Sequence, residues 1–130
     1  MDASRIAALD AFADLPPGEL DELAAVLTHV EIEAGTELIT HRKDGYLVYF
    51  VEQGEAEVLT DDGEVVRALG PGDTFGEIAI LTTGPRTATV VARTQMLLLA
   101  LFDADFQRIR ARVPEFERSL RSLGSERLGA

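Results

Sequence analysis

With 130 residues the chain has room for one domain with a real core, and its 46% hydrophobic and 27% charged residues are those of a folded protein. It has no cysteine, which excludes disulfides, thiolate metal sites and cysteine nucleophiles. A net charge of -11 argues against nucleic acid and anionic lipid as partners, so a phosphate would have to be held in a local pocket against the overall field.

The acid is unevenly spread. Residues 1–102 hold 18 acidic and 6 basic side chains, and residues 103–130 hold 5 and 6. Such charge also serves plain solubility. The longest apolar run, Met96 to Phe102, is far short of the ~20 residues of a membrane span. Asp2 and Asp10 are unlike a signal peptide. The expectation is a cytoplasmic domain without membrane insertion.

Residues 5–13 read as a short helix with Ile6, Leu9 and Ala13 on one side. Leu15-Pro16-Pro17-Gly18 breaks it. Pro17 suits the first turn of a second helix, and Glu19, Asp21 and Glu22 suit its positive end. Leu20, Leu23, Ala24 and Leu27 form its apolar stripe. The pattern then changes to glycines at 35, 45, 54, 63 and 72, with short β-forming runs between them: Val30 to Glu33, Thr36 to Thr40, Leu47 to Glu52, Glu55 to Thr60 and Glu64 to Leu69. Gln53-Gly54 and Asp62-Gly63 read as hairpin turns. Thr87 to Arg93 and Gln95 to Phe102 add two strands, turning near Arg93-Thr94. The spacing predicts a mainly β domain, an antiparallel jelly roll or β-roll with helices at both ends. Asp103 is the expected N-cap of the next helix, with Phe106, Ile109 and Val113 as its stripe. Pro114 stops that helix and opens another, with Phe116, Leu120 and Leu123 on one face and Gly124 weakening its end. The whole, 1–130, reads as one domain: helices over 1–28, the roll over 29–102, helices over 103–130.

The stretch 75–90 carries the chemistry. Gly72 and Gly76 permit sharp turns and close backbone approach. Glu77-Ile78-Ala79-Ile80-Leu81 is long enough for one or two helical turns, whose free N–H groups favour an anion. Gly84-Pro85 reverses the chain and brings Arg86 back toward that spot, and arginine's planar fork suits phosphate. Glu77 repels a bare phosphate but accepts from a sugar hydroxyl. The pair therefore selects a sugar phosphate, or else Glu77 and Arg86 simply pair within a loop that caps the roll.

Phe75-Gly76-Glu77-Ile78-Ala79-Ile80-Leu81 followed by Pro85-Arg86-Thr87-Ala88-Thr89-Val90 resembles the phosphate-binding cassette of the cyclic nucleotide-binding domain family. The glutamate-to-arginine spacing is similar to that in kinase regulatory subunits and nucleotide-gated channels. Gly35, Gly54-Glu55 and Gly70-Pro71-Gly72-Asp73 stand where that family has turn glycines, so the resemblance covers almost the whole chain. It implies a cAMP or cGMP ligand, with Glu77 on the ribose 2′-hydroxyl and Arg86 on the cyclic phosphate. It further implies help from the N–H groups of Gly76, Ile78 and Ala79, and a hydrogen bond from Thr87 to phosphate or base. Leu120 or Leu123 would be the lid over the base, and ligand binding would shift the C-terminal helices. Thr87 leaves cAMP and cGMP both open. His41-Arg42-Lys43-Asp44-Gly45 departs from the family's acidic-glycine loop.

The resemblance also implies an effector domain or protein, which the sequence does not name. Family members that act on DNA carry a helix-turn-helix after the roll, and here about 28 residues follow Phe102, so nucleic acid is not an expected partner. An enzyme of the cupin type needs several closely spaced histidines, and the chain has His29 and His41 alone, twelve apart. No catalytic nucleophile–base arrangement, metal site or cofactor is expected. The remaining alternative is a degenerate member that keeps the fold, has lost the nucleotide and works through protein contacts.

Overall fold

The computed structural model describes residues 2–39, 47–60, 62–75 and 89–129, with the backbone alone at 39, 47 and 123–129. The expected turns at Gly45, Gly76 and Gly84-Pro85 and the short helix after Gly76 lie outside the described residues. Among the described residues the order is α1 (Ala3–Ile6), a 3-10 turn (Asp10–Phe12), α2 (Pro17–Val26), eight strands, α3 (Asp103–Ile109), a second 3-10 turn (Arg110–Arg112) and α4 (Pro114–Gly129). The strands are β1 (Thr28–Ile32), β2 (Glu37–Ile39), β3 (Leu47–Gln53), β4 (Ala56–Leu59), β5 (Val65–Leu69), β6 (Thr74–Phe75), β7 (Thr89–Ala92) and β8 (Met96–Phe102).

They form two four-stranded antiparallel sheets, ordered β1-β8-β3-β6 and β2-β7-β4-β5. Period-2 alternation decides which side chain goes where. In β3 and β8, Tyr49, Val51, Met96, Leu98 and Ala100 face the second sheet and close the roll interior with Leu38, Ala56, Leu69, Phe75, Val90 and Ala92. The intervening Val48, Phe50, Leu99 and Leu101 face the helices, where they meet Ile6, Phe12, Leu23, Phe106, Ile109, Val113, Phe116 and Leu120. Four phenylalanines tie that second core together: Phe12 lies 4.7 Å from Phe50 and 5.4 Å from Phe116, and Phe106 meets Phe116 at 6.2 Å. Offset or tilted ring pairs of this kind add about 0.5–1.5 kcal/mol each beyond their buried area.

Several local expectations change in three dimensions. The helix expected over 5–13 is two short pieces, because Asp2 caps α1 through the Ser4 N–H and the chain turns after Ile6. Ala13 is exposed, while Ile6, Leu9 and Phe12 are buried. Asp103 is not an N-cap: Phe102 holds that position without a side-chain bond, and Asp103 lies inside α3, accepting from Gln107 Nε2 at 3.1 Å. The last helix, expected to fray before Leu128, runs on through Gly124 to Gly129. The stripe Phe106, Ile109, Val113 is buried as expected, although α3 tightens into a 3-10 turn before Val113.

Gln53-Gly54 is not a hairpin. It carries the chain from β3 in one sheet to β4 in the other, whereas Asp62-Gly63 does join paired strands. The return crossing, from β7 to β8, runs beside it. Arg93 N–H and Thr94 N–H both donate to the Glu55 carbonyl, at 2.9 and 3.3 Å, and Glu55 N–H donates to Thr94 Oγ1 at 3.0 Å. Gly54 has φ +98, and a Cβ there would sit 2.4 Å from the Gln95 carbonyl oxygen. Gly35 has a similar φ of +90 but open space around it.

Those two glycines separate backbone strain from steric conflict. Gly35→Ala meets strain alone, about 1–2 kcal/mol, and Gly54→Ala adds an overpacking cost of about 1–3 kcal/mol. Urea unfolding is expected to show the larger loss at Gly54, and equal losses would contradict the corner packing.

Candidate functional site

The segment 75–90 is framed by strands of opposite sheets. At its entry, Gly70-Pro71-Gly72-Asp73 leads from β5 to β6. Gly72 N–H donates to the Val51 carbonyl, Val51 N–H donates to the Asp73 carbonyl, both at 2.9 Å, and Gly70 N–H donates to Asp73 Oδ2 at 2.8 Å. The turn is thus fastened to β3. It delivers Thr74 and Phe75 to β3 opposite Phe50 and Tyr49. Phe75 is buried, and its ring stacks on Tyr49 at 5.0 Å and 23°. At the exit, Thr89 and Val90 pair with Leu59 and Val58 of β4, and Val90 closes on the roll interior. The segment therefore spans from the edge of one sheet to an inner strand of the other. Between the sheets lies the apolar cluster of the roll interior, with Val30, Ile32 and Val58, partly buried, packed against it.

Gly76, Glu77, Ile78, Ala79, Arg86 and Thr87 lie outside the described residues, as does the side chain of Leu123. Leu120 is described. It is fully buried in the core between the helices and the first sheet, on the side of that sheet away from the roll interior. Sequence reasoning missed β6 and the Tyr49–Phe75 stack, because two residues are too short to show a period.

The sequence profile described as "Cyclic nucleotide-binding domain" matches residues 29–113. The chain belongs to that family. It is 46% identical over 99 residues to a cAMP-dependent protein kinase regulatory subunit of Yarrowia lipolytica, across 75% of this chain and 26% of the relative. It is 36% identical to a cyclic nucleotide-gated potassium channel of Mesorhizobium japonicum, across 96% of this chain and 34% of the channel. The regulatory domain of Toxoplasma gondii PKA, solved with cAMP, superposes with a TM-score of 0.74 at 32% identity, covering 93% of this chain and 46% of that one. The chain thus spans about a quarter to a third of the length of these two curated relatives. The cyclic nucleotide-binding domain is a regulatory rather than a catalytic family, and the two-sheet roll with flanking helices is its fold.

Elsewhere on this domain, a shallow groove of about 560 Å³ runs along the C-terminal helices, lined by Gln107, Arg110, Pro114, Glu117, Arg118 and Arg121 among others. Its arginines already have carboxylate partners. Arg110 forms a two-pronged pair with Glu117 at 2.5 and 2.9 Å, Arg121 reaches the same carboxylate at 3.0 Å, and Arg118 pairs with Glu115. The groove is an ion-pair network over the core. His29 sits on the outside of β1, within 2.7 Å of Arg5, whose guanidinium is held by Glu52. No group of three or more metal-ligating side chains occurs among the described residues. No described helix is long and apolar enough to cross a membrane.

The hydrogen bonds from Arg110, reinforced by Arg121, hold the Glu117 carboxyl below its ordinary pKa of 4.5. A carboxylate with a depressed folded value adds stability that is complete above 4.5 and fades as the pH falls through the lower folded value. Glu117→Gln is expected to lower stability at pH 7 by on the order of 1 kcal/mol. In urea titrations the gap between wild type and variant should narrow as the pH is lowered below 4.5 and through the depressed folded value; an unchanged gap would contradict this assignment.

Proposed function

We propose that this chain is a cyclic-nucleotide-binding regulatory module whose ligand is cAMP or cGMP and whose C-terminal helices change position when the ligand binds. The observation that carries the reading is the sequence 75–90, with Glu77 and Arg86 nine positions apart, which follows β6 of one sheet and leads into β7 of the other in a domain of this family. In this reading Arg86 pairs with the cyclic phosphate, assisted by the N–H groups of Gly76, Ile78 and Ala79. Glu77 accepts from the ribose hydroxyl, and Thr87 bonds phosphate or base. The base packs on the apolar lining of the roll. Three bonds to charged groups at about 1.5–3 kcal/mol each, with base burial and less the ordering costs, amount to about -8 kcal/mol, or near-micromolar affinity.

Residues 1–130 act in this reading as one domain, without catalysis, in the cytoplasm. A relative titled a kinase regulatory subunit and one titled a gated channel both support an effector attached to or contacted by this module. The lid is Leu123, or Leu120 once α4 leaves its present packing. Binding drives that movement only by its difference in affinity for the two arrangements.

Calorimetric titration with cAMP and cGMP, with acyclic 5′-AMP as control, tests the reading. Near-micromolar heat with a cyclic nucleotide is expected. Arg86→Ala should weaken binding at least a hundredfold, as the loss of a charged bond of about 3 kcal/mol requires. Silence with both cyclic nucleotides would favour a degenerate member working through protein contacts.

A further inference from the structure

A guanidinium stands on the inner face of the second sheet. Paired residues of an antiparallel ladder share a face, as do residues two apart on one strand. Arg67 of β5 pairs with Val58 of β4, and Val58 pairs with Val90 of β7. Val90 belongs to the roll interior, Val58 packs against it, and Leu69, two residues from Arg67, is buried in it. Arg67 therefore faces inward, from the edge strand of its sheet. Its side chain is 38% exposed. Its ion pair with Asp73 is loose: Nη2 lies 3.9 Å from Asp73 Oδ1, beyond hydrogen-bond distance, and Asp73 Oδ2 accepts from the Gly70 N–H at 2.8 Å.

Both ends of the segment 75–90 lie beside this side chain. Asp73 is two residues before Phe75, where the segment begins, and Val90, in the same cross-sheet row as Arg67, is where it ends. The neighbours of Arg67 on the inner face, Val58 and Leu69, are apolar and suit the flat face of a base. An inward charge at a sheet edge also deters edge-to-edge pairing. That end of β5 is already guarded by the register shift between Val58 and Leu59.

We infer that Arg67 reads the base of the bound nucleotide and makes cGMP the preferred ligand. This rests on the proposed nucleotide function, in which Arg86 serves the phosphate and the base packs on the apolar cluster beside Arg67. Guanine presents two acceptors on one edge, O6 and N7, whereas adenine presents N7 beside an N6 amino donor. A guanidinium donates two parallel bonds to the first and sets donor against donor on the second. The choice that Thr87 leaves open is then made by a residue outside the segment. A two-pronged contact of this kind corresponds to about a tenfold preference. Lysine, a point charge on a flexible stem, offers no such fork.

Calorimetry of wild type, Arg67→Ala and Arg67→Lys with cAMP, cGMP and cIMP tests this. cIMP keeps O6 and N7 but lacks the 2-amino group of guanine, so it separates the edge assigned to Arg67 from any contact of Thr87 with that amino group. Wild type is expected to bind cGMP and cIMP about tenfold more tightly than cAMP. Arg67→Ala should bring both ratios to about one, and Arg67→Lys should recover only a small part of them. A ratio of affinities is insensitive to a uniform loss of folded protein, which urea unfolding of the same variants would register. A loss in Arg67→Ala shared equally by the three nucleotides would make Arg67 a general attraction for anions. Unchanged binding of all three would make it an edge guard. A preference for cGMP without one for cIMP would assign the choice to the 2-amino group. Each of these overturns the inference. Wild type that binds cAMP without preferring cGMP would sink the inference alone, whereas wild type silent with all three would remove the nucleotide reading and the inference with it.

Discussion

The two inner strands of the first sheet, β3 and β8, are buried on both faces, and the rest of the molecule is built against one side of them or the other. Leu98 and Ala100 of β8 point into the roll while Leu99 and Leu101 point to the helices, and all four are at most 2% exposed. Full burial of a leucine is worth about 1.5–3 kcal/mol, and a slip of one residue would exchange the two faces, so the register of β8 against β1 and β3 is strongly specified. Neighbouring residues of β3 show the consequence for function. Phe50 faces outward against Phe12 and Phe116, and Tyr49 faces inward against Phe75 at the entry of the segment 75–90. One strand thus touches the start of α4 on one side and the start of the candidate binding segment on the other.

Closing the roll needs the chain to change sheets, and two of the four described crossings lean on each other. The corner at Gly54 and the corner at Arg93-Thr94 share the Glu55 carbonyl and the Thr94 hydroxyl. Their approach is so close that no side chain fits at Gly54. Such corners satisfy backbone groups that would otherwise be stranded where strands leave their ladders.

The C-terminal helices carry the remaining polar organisation. Their arginines are engaged by Glu115, Glu117, Asp105 and, from α2, Glu22, which leaves this part of an acidic protein nearly neutral. Exposed pairs of this type contribute little individually. The buried Glu19 differs because its partners are backbone donors, one of them, the Phe116 N–H, buried away from water.

Much of the architecture was legible in the sequence. Turn glycines every nine or ten residues and β-branched runs between them marked the strands, and Pro17 and Pro114 marked two helix starts. Phe106, Ile109, Val113 and Phe116 declared a buried stripe through their spacing. The candidate binding segment was legible as a motif, since Glu77, Arg86 and the glycines around them lie close in the chain. These are local patterns, and local patterns leave their record in local composition. What tertiary structure decided was which strands share a sheet, so that Gly54 is a corner and not a hairpin. It decided the two-sided burial behind the apolar run of β8. It also turned Glu19, which suited the start of its own helix, into the cap of a helix that begins 95 residues later. Each of these depends on groups brought together from distant parts of the chain, and such meetings leave no periodicity in the sequence for either partner to reveal.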